Sequence, residues 1–148
     1  MWRFVEESAT LDHNSQYLYL LLADMFSQTS AVAVQNGRIV GLVTAFLVPQ
    51  RADTLFVYQM RVGVQVRHHK LALTMIDSIL ARFPDDVRFV EATVHPENVA
   101  AHAVLSALAR SRDTVVVREP FVRAQDFVIG PISLGDEDRL TVGPFNVS

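Results

Sequence analysis

The stretch from Thr54 to about Arg82 limits what this chain can fold into more than any other. Its centre reads Tyr58-Gln59-Met60-Arg61-Val62-Gly63-Val64-Gln65-Val66-Arg67-His68-His69-Lys70-Leu71-Ala72. The β-branched and aromatic residues from Leu55 to Val64 give it the pattern of a strand. A basic, amide-rich turn follows, then an apolar-periodic helix carrying Leu71, Leu73, Met75, Ile76, Ile79 and Leu80. A strand that breaks straight into a helix N-terminus aims free backbone N–H groups and a positive dipole end at one point, which suits phosphate. The turn is therefore expected to hold a diphosphate-bearing cofactor, with very little of the glycine that such turns normally use.

The segments on either side fix the context. Residues Trp2 to Ser8 can make a short helix. Leu11-Asp12-His13-Asn14-Ser15 reads as a cap, because Asp, Asn and Ser offer acceptors to the orphan N–H groups of a helix from about Ser15 to Phe26. That helix is apolar on most faces and is expected to be largely buried. Ala31 to Val34 and Ile39 to Val48 are strands joined by Asn36-Gly37, a hairpin pair that tolerates positive φ. Pro49 to Asp53 is a loop. Beyond the central helix, Phe83-Pro84-Asp85-Asp86 breaks the chain. A strand from Arg88 to Val94, a turn at His95-Pro96-Glu97-Asn98, and a helix from Val99 to about Arg110 come next. Thr114 to Val117 and Arg139 to Val142 are short strands, separated by an irregular stretch from Glu119 to Asp136. This order predicts a mixed sheet with helices on its faces.

Charge and composition remove several alternatives. The chain has 148 residues, enough for one domain with a real core, and half of them are apolar. Mean hydropathy is +0.23. Net charge is −3, which gives no electrostatic footprint for nucleic acid. Lys70 is the only lysine. With no cysteine there is no disulfide, thiolate nucleophile or Cys-ligated metal, and the five histidines show no metal-ligand spacing. The apolar run from Tyr17 to Ala23 is too short to span a bilayer, and Met1-Trp2-Arg3 does not open a signal peptide. A cytoplasmic location is expected, with no membrane partner.

Several segments, in order, now carry a resemblance. They are Leu11 to Ser15 with Tyr17-Leu18-Tyr19-Leu20-Leu21, Asp53 to Gln59, Arg67 to Ala72, Thr93 to Asn98, and Val142-Gly143-Pro144-Phe145. Together they resemble the diaminobutyrate acetyltransferases of ectoine biosynthesis, within the GNAT superfamily of N-acetyltransferases. The resemblance implies an α/β (α+β) fold, with a mixed, mostly antiparallel twisted sheet flanked by helices, and residues 1–148 as a single domain. It implies acetyl-CoA as cosubstrate, no metal, a small diamino acid as acceptor, and a homodimer. Substrate contacts then fall on Asp12, Tyr17, Tyr58 and Glu137. Cofactor contacts fall on Met60, Arg61, Val62, Arg67, His68, His69, Lys70, Leu71, Ala72 and Asn98. No catalytic residue is assigned: the proton acceptor is either a side chain or a water.

Each of these residues also has a plainer role. Asp12 and Asn98 serve as helix caps, Tyr17 as core, and Glu137 as a solvated charge in Asp136-Glu137-Asp138. The sequence also departs from the family pattern. Tyr58 replaces a usual tryptophan, Leu134 a usual histidine, and His68 and Lys70 stand where relatives carry glycine. Side chains there either crowd the phosphates or, through Lys70 and Arg67, supply charge in place of an amide cradle. Tyr58 and Leu134 leave open a different small amine as acceptor. The altered turn leaves open a non-catalytic member that binds a ligand or partner. Because the chain opens at what resembles the family's first helix, the usual first strand is missing: either the sequence is short, or the sheet has one strand fewer and leaves an edge to be covered.

Overall fold

Asn36 and Gly37 take φ values of +51° and +74°, and the hairpin they close starts the sheet. Strand β1 (Ala31–Gln35) pairs antiparallel with β2 (Arg38–Val48), and β2 pairs antiparallel with β3 (Arg51–Val62). This computed structural model describes residues 1–7, 14–66, 69–126 and 135–145, apart from the side chains of residues 65 and 69. Helix α1 spans Trp2–Glu6 and α2 spans Gln16–Met25, the latter capped by Ser15, whose hydroxyl accepts the Leu18 N–H at 3.3 Å. Helix α3 (His69–Leu80) follows β3. Then come β4 (Phe89–Val94), α4 (Val99–Ser111), β5 (Val116–Val122) and β6 (Glu137–Val142).

Among the described residues the sheet has six strands in the order β1-β2-β3-β4-β6-β5. Every pairing is antiparallel except β3 with β4. The last strand inserts between β4 and β5, so β5 forms one edge and β1 the other.

Strand alternation divides the side chains between two faces. On one, Val43, Ala45, Leu55, Val57, Val90 and Leu140 meet Ile76 and Ile79 of α3 and Leu105 and Leu108 of α4 in the main core. Each fully buried Leu or Ile there contributes about 1.5–3 kcal/mol. On the other, Leu42 packs with Val5 of α1 and with Tyr19 and Leu22 of α2 in a smaller cluster. Gly143, at φ +139°, lies against the start of β4; a Cβ there would sit 2.6 Å from the Arg88 carbonyl oxygen.

Four sequence expectations change: β3 already begins at Arg51, inside the loop expected from Pro49 to Asp53, because Arg51 pairs with Val48 across a tight turn. Helix α2 is not largely buried: only Tyr19 and Leu22 are, while Tyr17, Leu20 and Met25 are exposed. One face of a lone helix on a sheet meets the core, whatever the composition of its other faces. The edge strand β5 runs through Glu119, Pro120 and Val122 into the stretch expected to be irregular, because its ladder with β6 holds it extended. For the same reason β6 begins at Glu137 rather than Arg139.

Candidate active site

Two irregularities in β3 shape the region around the opening motif. The first is a bulge. Thr44 pairs with Gln59 and Ala45 with Val57, so Tyr58 is an extra residue in the ladder. Ordinary alternation would send Tyr58 and Gln59 to opposite faces. Instead both turn toward α2. The Tyr58 hydroxyl donates to Asn14 Oδ1 at 3.2 Å, and Gln59 Oε1 accepts the Tyr19 hydroxyl at 2.9 Å. Val57 before them and Met60 after them both face the main core.

The second irregularity is a wedge. The parallel pairing of β3 with β4 covers Thr54–Phe89, Leu55–Val90 and Phe56–Glu91 and then stops. Beyond it, among the described residues, β3 continues to Val62 paired with β2, and Ala92 to Val94 of β4 stay paired with β6. The backbone groups of β3 that face away from β2 therefore look into an opening at the carboxyl ends of two parallel strands, where open α/β sheets bind ligands. The bulge lies on the lip of that opening.

Tyr17 is in the first turn of α2 and points outward, 67 % exposed. Tyr58 is 41 % exposed at the bulge. Glu137 opens β6, half-buried, opposite Val122. Its carbonyl accepts from Arg123 Nη1 at 3.1 Å. Strand geometry thus removes Glu137 from the solvated tail expected of an acidic run. Met60 and Val62 are half-buried against the main core. The Arg61 guanidinium lies 4.4 Å over the Phe4 ring of α1, with Nη1 buried and lacking a hydrogen-bond partner. Thr44 Oγ1, on the same face, is likewise buried without one.

Lys70 is exposed in the first turn of α3, Leu71 is half-buried, and Ala72 is buried in the core. Asn98 caps α4, with Oδ1 accepting the Ala101 N–H at 3.1 Å. Asp12, Arg67, His68 and Leu134, together with the His69 side chain, lie outside the described residues. Among those described, no group of three His, Asp or Glu side chains could hold a metal ion.

The two rungs to α2 escaped the sequence reading, although Asn14, Tyr19 and Gln59 all fall within its motif segments. A β-bulge without glycine leaves no mark in a run of strand-forming residues. Two buried carboxylates escaped it too. Glu91 is gripped by both Arg51 nitrogens, one at 2.8 Å, and also accepts the Thr141 hydroxyl at 3.3 Å. Its hydrogen bonds to Arg51 hold its carboxyl below the usual range, against burial, which pulls the other way. Asp138 is bound by Arg123 at 2.7 Å and by Arg118. Those bonds depress its carboxyl in the same way, with the Arg123 contact dominant. Asp138 is the neighbour of Glu137 on the opposite face of β6.

A sheet that splays between its two parallel strands, with a bulge on the lip, is the framework of an N-acetyltransferase. Residues 1–108 match the Acetyltransferase (GNAT) family, and the chain belongs to that family. Its relatives narrow the group. An L-2,4-diaminobutyric acid acetyltransferase of Marinococcus halophilus is 41% identical over 123 residues, covering 82% of this chain and 71% of that protein. One from Bordetella parapertussis is 41% identical over 145 residues, covering 97% and 77%. Among solved structures, the diaminobutyrate acetyltransferase EctA of Paenibacillus lautus, in complex with its substrate L-2,4-diaminobutyric acid and coenzyme A, superposes with a TM-score of 0.90. It is 31% identical, over 99% of this chain and 89% of that one. Within the GNAT family, the chain falls among the diaminobutyrate acetyltransferases.

Proposed function

We propose that this chain transfers acetyl from acetyl-CoA to the side-chain amine of L-2,4-diaminobutyrate, giving N4-acetyl-diaminobutyrate for ectoine biosynthesis. The observation that carries the reading is the near-complete superposition on a relative whose complex contains both diaminobutyric acid and coenzyme A. The acceptor contacts are Asp12, Tyr17, Tyr58 and Glu137. Met60, Arg61 and Val62 follow the pantetheine arm, the turn from Arg67 to Ala72 meets the diphosphate, and Asn98 lies beside the cofactor.

The chemistry suits these groups. The acceptor has two ammonium groups and a carboxylate, so carboxylates and hydrogen-bonding aromatics select it. Its attacking amine must shed a proton before it is a nucleophile. A carboxylate such as Glu137, or a water, accepts that proton, while desolvation lowers the amine pKa. Acetyl-CoA supplies the activated acyl carbon. The chain's part is to hold the amine beside it and to aim backbone N–H groups of β3 at the developing oxyanion.

The same reading makes residues 1–148 one domain that works as a cytoplasmic homodimer. Edge strand β1 supports the dimer: Ala-Val-Ala-Val-Gln has neither charge nor proline, whereas β5 carries Arg118, Glu119 and Pro120. No helix among the described residues is long and apolar enough to cross a membrane.

Calorimetric titration with CoA, followed by a thiol-release assay with diaminobutyrate and ornithine, tests the proposal. Micromolar CoA binding and a clear preference for diaminobutyrate are expected. No binding at millimolar CoA would sink the enzyme reading, and equal turnover of both amines would reassign the acceptor.

A further inference from the structure

We infer that the buried Tyr19–Gln59 hydrogen bond is a positioning device that sets the acceptor wall and so discriminates against longer diamines. The inference rests on the acceptor site proposed above and deepens it.

The apolar anchors of α2 are few, and they are non-directional. Leu22 and part of Leu18 pack on Leu42 and α1, contacts that tolerate sliding and rotation of a ten-residue helix. Hydrogen bonds are directional. Tyr19 and Gln59 are 4 % and 6 % exposed, so their bond forms away from competing water, where losing one partner is most costly. Five residues earlier, just before the cap, Asn14 accepts from Tyr58. Residues 14 and 19 are thus tied to two consecutive residues of β3, an attachment possible only because the bulge turns both side chains to one face.

The Tyr19 bond fixes the rotation of α2, and the Asn14 bond holds the residue that leads into its cap. Tyr17 lies between them, about 200° around the helix axis from Tyr19, so a buried Tyr19 directs Tyr17 outward, as observed. The inner bond therefore sets the spacing between the walls formed by Tyr17 and Tyr58. Neither residue is among the acceptor or cofactor contacts proposed above. Tyr19 and Gln59 are positioning residues.

Steady-state kinetics of Tyr19→Phe tests this, because the change removes the hydroxyl with almost no loss of volume. The KM for diaminobutyrate is expected to rise about tenfold, the scale of a small misplacement of a positioned group. The KM for acetyl-CoA should stay within about twofold, and the preference for diaminobutyrate over ornithine should fall at least about threefold. Unchanged acceptor KM and selectivity would overturn the inference, as would a parallel rise in both KM values, which marks general loosening. Asn14→Ala removes the outer bond without opening the core and should shift the acceptor KM alone, in the same direction. If Tyr19→Phe does not fold, an unmoved acceptor KM in Asn14→Ala overturns the inference. Turnover of diaminobutyrate by the unaltered chain is measured first. Its absence overturns the acceptor reading and this inference with it, whereas normal turnover with unmoved variants overturns this inference alone.

Discussion

Lys70, where the family resemblance predicts glycine, sits in the first turn of α3 with its side chain exposed and its carbonyl accepting the Thr74 hydroxyl at 2.8 Å. An exposed ammonium at a helix N-terminus is unfavourable toward the dipole, and an anion bound there would relieve that. On the reading of Lys70 as a supplier of charge rather than an obstruction, that anion is the cofactor diphosphate. Lys70→Gly is expected to weaken CoA binding about fivefold, the weight of one exposed ion contact near 1 kcal/mol. Titration calorimetry reads it, and tighter binding would mark the side chain as an obstacle.

At the scale of elements, the motifs that were easiest to read are those with local chemistry. Asn36-Gly37 closes its hairpin, Ser15 caps α2, and Asn98 caps α4, each because the side chain or backbone needs only its near neighbours. Asn98→Ala is expected to cost about 1 kcal/mol of stability through the lost cap. Chemical denaturation measures that, and a parallel loss of CoA affinity would show whether Asn98 also serves the cofactor. The bulge at Tyr58, the length of β5 and the start of β6 were not legible. Each is set by a partner strand distant in sequence: Thr44 and Ala45 for the bulge, and Glu137 to Val142 for β5.

The whole molecule adds buried charge. Glu91 and Asp138 are both held as carboxylates by arginines from other strands or loops. Their folded pKa values lie below the ordinary ones. The stabilisation is therefore complete above the unfolded-state value of about 4 and is lost as pH falls through the lower folded values. The double variant Glu91→Gln, Asp138→Asn should melt well below the unaltered chain at neutral pH. That gap should narrow steadily below about pH 4. Melting curves from pH 7 to 2 check this, and a gap of constant size would assign the loss to packing.

Sequence alone determined the order and type of most elements, the hairpin, both side-chain caps and the family, because these depend on local chemistry or on motifs kept together in the chain. Tertiary structure decided where the last strand inserts, which face α2 buries, where β3 parts from β4, and that Tyr58 and Gln59 point the same way. Those features follow from pairing and packing between segments some 15 to 50 residues apart, of the kind seen for Arg51–Glu91 and Tyr58–Asn14. No local pattern encodes them. The strand-to-helix turn was visible from the start, and the wedge and bulge that precede it came only with the folded sheet.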